Sequence, residues 1–390
     1  MLCLVPSHHS ITLGGNRALF PGLQVAAGTC HTVGLRSDGT VVATGANTCG
    51  QLDVGSWKNI IQVTAGGYHT VGLRSDGTVV ATGYNGQGQL DVSPWKDIIQ
   101  VTAGGYHTVG LRSDGTVVAT GYNISGQLDV CVWTDIVQIA ASNNTVGLKL
   151  NGTVVATGYN GQGQLDVGSW TNIVQVAAGD VDTIGLESHG TVVVAGKHPW
   201  ASDILLWRDI TQVASRNFAI VGLKRDGTVV TVGYPWCESD LRNWTNIVQV
   251  AVGNNNIIGL KSDGTVVAAG NDFYDQLNVG GWNLFPTSGE LAEILTSAVL
   301  NLSLPKTIEN SCMNSFRKVH NLMQNGKIIA AIDQREVFIK NIKDDVTHHR
   351  IDINAGNDLI FMMIDLIDIL RQRNIAAHAD ERKSGSLKIA

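Results

Sequence analysis

The chain repeats itself. A segment read most plainly from Thr70 to Trp95, T-V-G-L-R-S-D-G-T-V-V-A-T-G-Y-N-G-Q-G-Q-L-D-V-S-P-W, returns with small changes seven times. Its central glycine is Gly39, Gly77, Gly115, Gly152, Gly190, Gly227 and Gly264, at steps of 37 or 38 residues. Seven tryptophans keep the same spacing: Trp57, Trp95, Trp133, Trp170, Trp207, Trp244 and Trp282. A fixed period of this length restricts the chain to a solenoid, a propeller or an array, because each unit can bury its apolar face only against its neighbours.

Within a unit the local signals are those of strands. Residues 60–65, 69–73 and 78–82 are short, β-branched runs bounded by glycine. Arg74-Ser75-Asp76-Gly77 joins the second run to the third as a hairpin in which Gly77 supplies the positive φ. Each unit reads as a meander of three strands, with Gly88-Gln89-Leu90-Asp91-Val92 as a short fourth. Val79, Val80 and Ala81 are apolar on both faces of their strand, as suits a blade covered on both sides by its neighbours. Gly72, in mid-strand, marks a place where a neighbouring backbone comes close. An open β-solenoid can use the same pattern, usually with shorter turns. Seven blades can also close into a ring, which removes the exposed edges of an open stack. The fold class expected is an all-β seven-bladed β-propeller over residues 21–286, with a lead-in segment at 1–20.

Two motifs carry a family resemblance. Ala103-Gly104-Gly105-Tyr106-His107-Thr108 and Gly83-Tyr84-Asn85-Gly86-Gln87-Gly88-Gln89-Leu90 resemble the regulator of chromosome condensation repeat, in its compact bacterial form. The resemblance covers about residues 21–286. Thr44, Thr82 and Thr120 stand where the family usually has tryptophan, and the last three units lose Gly-Gln-Leu in whole or part. The resemblance implies a propeller that binds a protein partner, and it brings guanine-nucleotide exchange on a small GTPase as a further reading. Exchange needs a wedge or acidic loop that breaks the symmetry of the ring, and no unit carries an inserted loop.

Charge separates the two parts of the chain. Residues 1–286 hold 14 Lys and Arg against 20 Asp and Glu, while residues 287–390 hold 13 of each. The whole net charge of −6 falls on the repeat region, which speaks against a phosphate-backbone footprint and hence against DNA. The six cysteines are scattered and read as free thiols of a reducing compartment. The N-terminus has no signal-peptide pattern and no stretch is long and apolar enough for a membrane span, so a cytoplasmic address is expected.

The chain supplies its own comparison of fold and function. Positions kept identical among the units are those the fold needs. The loop after the third strand varies, and all seven copies of it lie on one rim of the ring. They gather Tyr84, Tyr122, Tyr159, Trp200, Tyr234, Trp236, Phe273 and Tyr274, side chains that protein interfaces enrich. The bland alternative is packing of these rings between adjacent loops. The recurring tryptophans read as packing between blades, and His31, His69 and His107 as hydrogen-bonding groups at strand ends.

After Pro286 glycine nearly vanishes and helical spacing takes over, at about 288–303, 307–324, 327–344 and 356–380. Residues 287–390 are expected to form a small all-α helical bundle, alone or as a homodimer. The last apolar helix runs into Arg371, Arg373, Asn374 and His378. Arg-Asn-x-x-x-His at the end of such a helix resembles the HEPN superfamily, many of whose members are metal-independent ribonucleases. The resemblance implies RNA as a second partner, with Arg373 and His378 as the motif pair and Asn374 beside them. On a regular helix Arg373 and His378 lie about 140° apart, whereas Arg371, Asn374 and His378 share a stripe. The structural alternative is a helix end with basic residues at its negative pole. No phosphate-binding loop, zinc spacing or nucleophile elbow occurs, so neither cofactor nor metal is expected.

Overall fold

The computed structural model describes residues 12–13, 17–18, 23–217, 219–233, 241–285, 299–300, 302, 304–324, 327–352, 355–357, 359–360 and 363. Seven three-stranded antiparallel sheets follow one another, each a meander in chain order. Blade 1 is Gln24–Ala27, His31–Leu35 and Val41–Gly45; blade 2 is Ile60–Ala65, His69–Arg74 and Val79–Gly83. The series ends with blade 7, Ile247–Val252, Asn256–Lys261 and Val266–Gly270. Thr12–Leu13 pairs with Arg17–Ala18 as a separate two-stranded sheet.

The Asp-Gly-Thr triplet builds the hairpin between second and third strands. In blade 2, Gly77 has φ +79°, and Asp76 Oδ1 accepts hydrogen bonds from the Thr78 amide (3.0 Å) and hydroxyl (2.6 Å). Those bonds hold the Asp76 carboxyl below its ordinary range. The expected fourth strand does not form: Gly88–Val92 is a turn. Asn85 Oδ1 takes the Leu90 amide (2.8 Å), and Gln89 Oε1 takes the amide of Gln87 (3.0 Å), so side chains replace a ladder there.

Glutamine side chains tie each blade to the next. The first strand of every blade is a sheet edge with unpaired backbone groups. Gln24 Oε1 accepts the amide of Val63 (2.7 Å), Gln62 that of Val101 (2.8 Å), and Gln100 that of Ile139 (2.9 Å). Gln138, Gln175 and Gln212 continue onto Val176, Val213 and Val250. Gln249 then accepts from Val25, in blade 1, at 2.9 Å. In four junctions the same amide also donates back, as from Gln212 Nε2 to Val250 O (3.1 Å). The ring is closed.

The tryptophans lie between blades, each with its Cε3 and Cζ3 atoms against the mid-strand glycine of the following one. Trp57 covers Gly72, Trp95 covers Gly110, and Trp282 reaches round to Gly34 of blade 1. A Cβ added at Gly72 would stand 2.7 Å from Trp57 Cζ3. The close approach read at Gly72 is therefore that of an indole ring, not of a neighbouring backbone. The threonines at the family's usual tryptophan position act outside the core: Thr82 Oγ1 donates to Gly50 O of the preceding loop (2.8 Å), and Thr44 closes the cycle on Asp275 O (2.9 Å).

Beyond the ring, α1 in chain order is a single turn at Ala201–Ile204 in the loop of blade 5, and α2 (Lys306–Gln324) and α3 (Ile328–Thr347) follow the propeller. Phe316 and Phe338 meet at 5.3 Å between ring centres. Phe285 and Leu23 belong to the same apolar cluster, so this helical core is anchored on both ends of the ring's chain. Among the described residues no helix is long and apolar enough to cross a membrane.

The indole–glycine contact predicts coupling. Gly110→Ala, whose new Cβ would lie 2.9 Å from Trp95, should cost about 1–3 kcal/mol of unfolding free energy in urea. Combined with Trp95→Phe, the double variant should be about 1 kcal/mol more stable than the two single losses predict.

Candidate functional site

Two kinds of turn emerge at the same end of each blade. Gly83, which ends the third strand of blade 2, sits opposite His69, which begins the second. The Tyr84 amide donates to Tyr68 O and the Tyr122 amide to Tyr106 O, both at 2.9 Å. The variable loops thus stand beside the Gly-Gly-Tyr-His turns, and their tyrosines form one group.

The polar motif residues are used inside the loops. Leu52, Leu90, Leu128 and Leu165 each donate an amide to Asn47, Asn85, Asn123 and Asn160, at 2.8–2.9 Å. Blade 7 repeats this with Asp272 and Leu277, and Asp275 adopts the φ of +60° that glycine takes elsewhere. Between these anchors the glutamine of each loop (Gln51, Gln89, Gln127, Gln164 and Gln276) is buried.

In blades 2 to 4 the residue before each anchoring asparagine is a tyrosine, and the turns of blades 2 and 3 add Tyr68 and Tyr106. The Tyr106 ring lies 6.0 Å from Tyr84, edge to face, 6.4 Å from Tyr122 and 5.9 Å from Tyr68. Tyr84 and Tyr159 fold over Gly86 and Gly161 of their own loops; Ile124 fills that place in blade 3 and is 83% exposed. Tyr84, Tyr106, Tyr122 and Tyr159 surround a cavity of about 530 Å³. Tyr68 is raised in pKa by burial and then by its neighbours Tyr106, Cys30 and Tyr274, which places blade 7 beside this group.

Of the residues singled out in the sequence, Tyr84, Tyr122 and Tyr159 come together. Phe273 and Tyr274 stand exposed at 86% and 52% on blade 7, and Trp200 at 37% on blade 5, with Leu205 and Leu206 exposed beside it. Tyr234, Trp236, Arg371, Arg373, Asn374 and His378 lie outside the described residues. Tyr68 and Tyr106 were missed. Their signal was available, because the first-to-second strand turn of a three-stranded meander lies at the same end as its exit.

Beneath the aromatic layer runs a buried polar relay. The Thr70 hydroxyl donates to Gln51 O (2.7 Å), leaving its lone pair for Nε2 of His31 at 3.0 Å. His69–Thr108 and His107–Thr145 repeat the contact, and Asn144 and Asn256 serve in place of histidine toward Thr183 and Thr32. Burial, then the charge of Arg216, pushes His31 down to about 3 and His107 to about 4. His69 is also about 3, lowered by burial and then by His31, His107 and Arg216. The Arg216 guanidinium crosses from blade 6 to donate to Ala65 O of blade 2 (3.1 Å) and to Asn254 Oδ1 (3.2 Å).

The relay changes at blade 5. Asp182 takes the histidine position, accepts from Ser215 Oγ at 2.8 Å, and has His198 Nε2 3.5 Å from its other oxygen. Ser, His and Asp thus meet, but the serine donates to the carboxylate instead of to the imidazole, and the Asp182–His198 pair is fully buried. No activated nucleophile results. Burial pushes Asp182 up to about 7, with the Ser215 bond opposing and the Asp180 charge adding. Among the described residues no group of three His, Cys, Asp or Glu could hold a metal ion, and Cys30, Cys49, Cys131 and Cys312 are free thiols.

A profile of the Regulator of chromosome condensation (RCC1) repeat matches residues 23–51, 60–89, 98–127 and 247–276. No curated protein matches the chain. Among solved structures the chain is similar to the CRINKLY WD40 ectodomain of the receptor kinase ACR4 from Arabidopsis thaliana. That likeness has 20% identity over 66% of this chain and 98% of that one, with a TM-score of 0.53. The ectodomain of the receptor kinase CR4 from Physcomitrella patens gives 18% identity, 63% and 72% coverage and a TM-score of 0.54. Prp20p from Saccharomyces cerevisiae overlays more loosely, with 18% identity, 67% and 75% coverage and a TM-score of 0.41. These likenesses concern the fold.

Asp182 generates a pH prediction. Its pKa is raised in the folded state, so its contribution to stability is complete below the unfolded value near 3.8 and is lost as pH rises through about 7. Asn, which blades 4 and 7 already carry at this position, does not titrate. Relative to the parent chain, Asp182→Asn should gain on the order of 4 kcal/mol between pH 4 and pH 8, measured by urea unfolding. The depressed histidines act with the opposite sign, so the parent chain should lose stability as pH falls from about 6.5 toward 4.

Proposed function

We propose that this propeller, four of whose units match the Regulator of chromosome condensation (RCC1) repeat, is a non-enzymatic scaffold whose aromatic rim binds a protein partner. The observation that carries this reading is the exposure of Phe273, Tyr274, Trp200, Tyr106 and Tyr159 at one end of a ring whose other tryptophans and polar motif residues are largely used in packing. Large aromatic side chains on rigid, internally anchored loops gain contact area with little loss of freedom on binding. Residues 21–286 are the binding unit in this reading. Residues 287–390 are a second unit in this reading, and its described helices α2 and α3 share an apolar cluster with Leu23 and Phe285.

The Ser215–Asp182–His198 arrangement supports a binding role over hydrolysis, since the serine hydroxyl donates to the carboxylate and not to the imidazole, and the Asp182–His198 pair is buried. The rim loops that the structure describes in blades 1 to 4 keep one length and one anchoring pattern, so none of them forms the protruding wedge that nucleotide exchange on a GTPase would use.

The test is capture with the full chain as bait, with the retained protein identified and its binding remeasured with purified components. Phe273→Ala with Tyr274→Ala should weaken that binding at least about tenfold and leave the melting temperature unchanged. Binding that survives this change would remove the rim from the interface, and a fall in melting temperature would assign the two rings to packing.

A further inference from the structure

The cavity among the four tyrosines has a definite chemistry. Its walls are tyrosine faces and the neutral side chains of Gln87, Gln127, Ser125, Ser142, Asn143 and His107. His107 is uncharged at neutral pH because burial lowers it. The cavity therefore holds π-faces and amide oxygens, and no fixed charge of its own.

Its surroundings are acidic. The loops at 46–57, 84–95, 122–133 and 159–170 contain Asp53, Asp91, Asp129 and Asp166 and no Lys or Arg. All four carboxylates are exposed. The turns at 28–30, 66–68, 104–106 and 142–143 add no basic residue, and Asp180 stands behind the cavity with a hydrogen bond from Ser142 Oγ. The basic residues of these blades lie at the opposite end of the ring: Arg36, Arg74, Arg112 and Lys149 follow or end the second strands beside the Asp-Gly-Thr hairpins, and Lys58 and Lys96 adjoin Asn59 and Asp97, which pack on Gly39 and Gly77 of those hairpins. A cation approaching this face meets attraction from the loops and then tyrosine quadrupoles inside the cavity.

We infer that the Tyr84–Tyr106–Tyr122–Tyr159 cavity receives an arginine side chain presented by a loop of the protein partner. This rests on the rim-binding reading and specifies its centre. A guanidinium is planar and weakly hydrated, so it stacks on a tyrosine face with little desolvation cost, and its five N–H donors suit the amide oxygens of Gln87 and Asn143. A lysine ammonium offers neither the plane nor the fork. A phosphate-bearing ligand would meet four carboxylates, and the cation whose field reaches His107, Arg216, is buried and held by Ala65 O and Asn254 Oδ1.

Saturation-transfer NMR on the full chain tests this without knowing the partner. The probes are N-acetyl-arginine amide and N-acetyl-citrulline amide, which share a shape and differ in charge. The arginine probe should bind at least about fivefold more tightly than the citrulline probe. Tyr106→Leu should abolish that difference with an unchanged melting temperature; Tyr159→Leu, at the edge of the cavity, gives the same reading if the first variant fails to fold. Equal response to both probes would overturn the proposal in favour of neutral stacking. An arginine signal undiminished in the tyrosine variants would overturn it in favour of the loop carboxylates. Failure of the arginine probe while Phe273→Ala and Tyr274→Ala still release the partner would leave the rim reading intact.

Discussion

One side-chain amide fixes the spacing of the ring. The innermost strand of each blade has an open edge, and buried backbone groups left open cost more than the bonds themselves gain. The glutamine of the preceding blade supplies the missing partner, as Gln62 does for Val101. Each such bond is worth about 1 kcal/mol net, yet its geometric effect is larger. It sets the distance at which an indole lies against the next blade's glycine, as Trp133 does against Gly147, and at which Thr120 reaches Gly88 O. Burial of the Val54, Val92, Val130, Val167, Ile204, Leu241 and Val279 series follows from the same spacing.

The departures from symmetry have local causes. At the junction of blades 5 and 6 the threonine of the relay becomes Ile220, which offers no oxygen, and Asp182 turns to Ser215 and His198 instead. Asp182 then resides where water cannot reach it, and its pKa rises. Arg216 extends from that same irregular region across the ring, so a buried cation lies where the repeat departs from its pattern.

Much of the fold was legible because the repeat states each structural rule several times. Asp76-Gly77-Thr78 announces its hairpin, and the Trp57 series announces packing between blades. The fourth strand was misread because Gly88–Val92 has strand-like residues whose amides are taken by Asn85 and Gln89, a choice made by side chains and invisible to periodicity. Helix α3 runs past the boundary read at 344 because Val346 finds a place in the helical core. At the rim, the loop tyrosines were visible and Tyr106 was not, since its turn looks like part of the fold motif. Arg216 had no signal: its partner Ala65 is 151 positions away and bonds through backbone alone.

The junction between blade 7 and blade 1 repeats the glutamine and indole contacts of the other six, Gln249 on Val25 and Trp282 on Gly34, and shares the threonine bridge of blades 2 to 4, with Thr44 on Asp275. Many rings are latched by a terminal strand borrowed from the far end of the chain. Here each sheet is drawn from a continuous stretch, so the seam carries the same glutamine and indole contacts as any internal junction. A blade is an exchangeable part, and a new binding face can arise by duplicating or swapping whole units while the glutamine-bonded frame stays as it is.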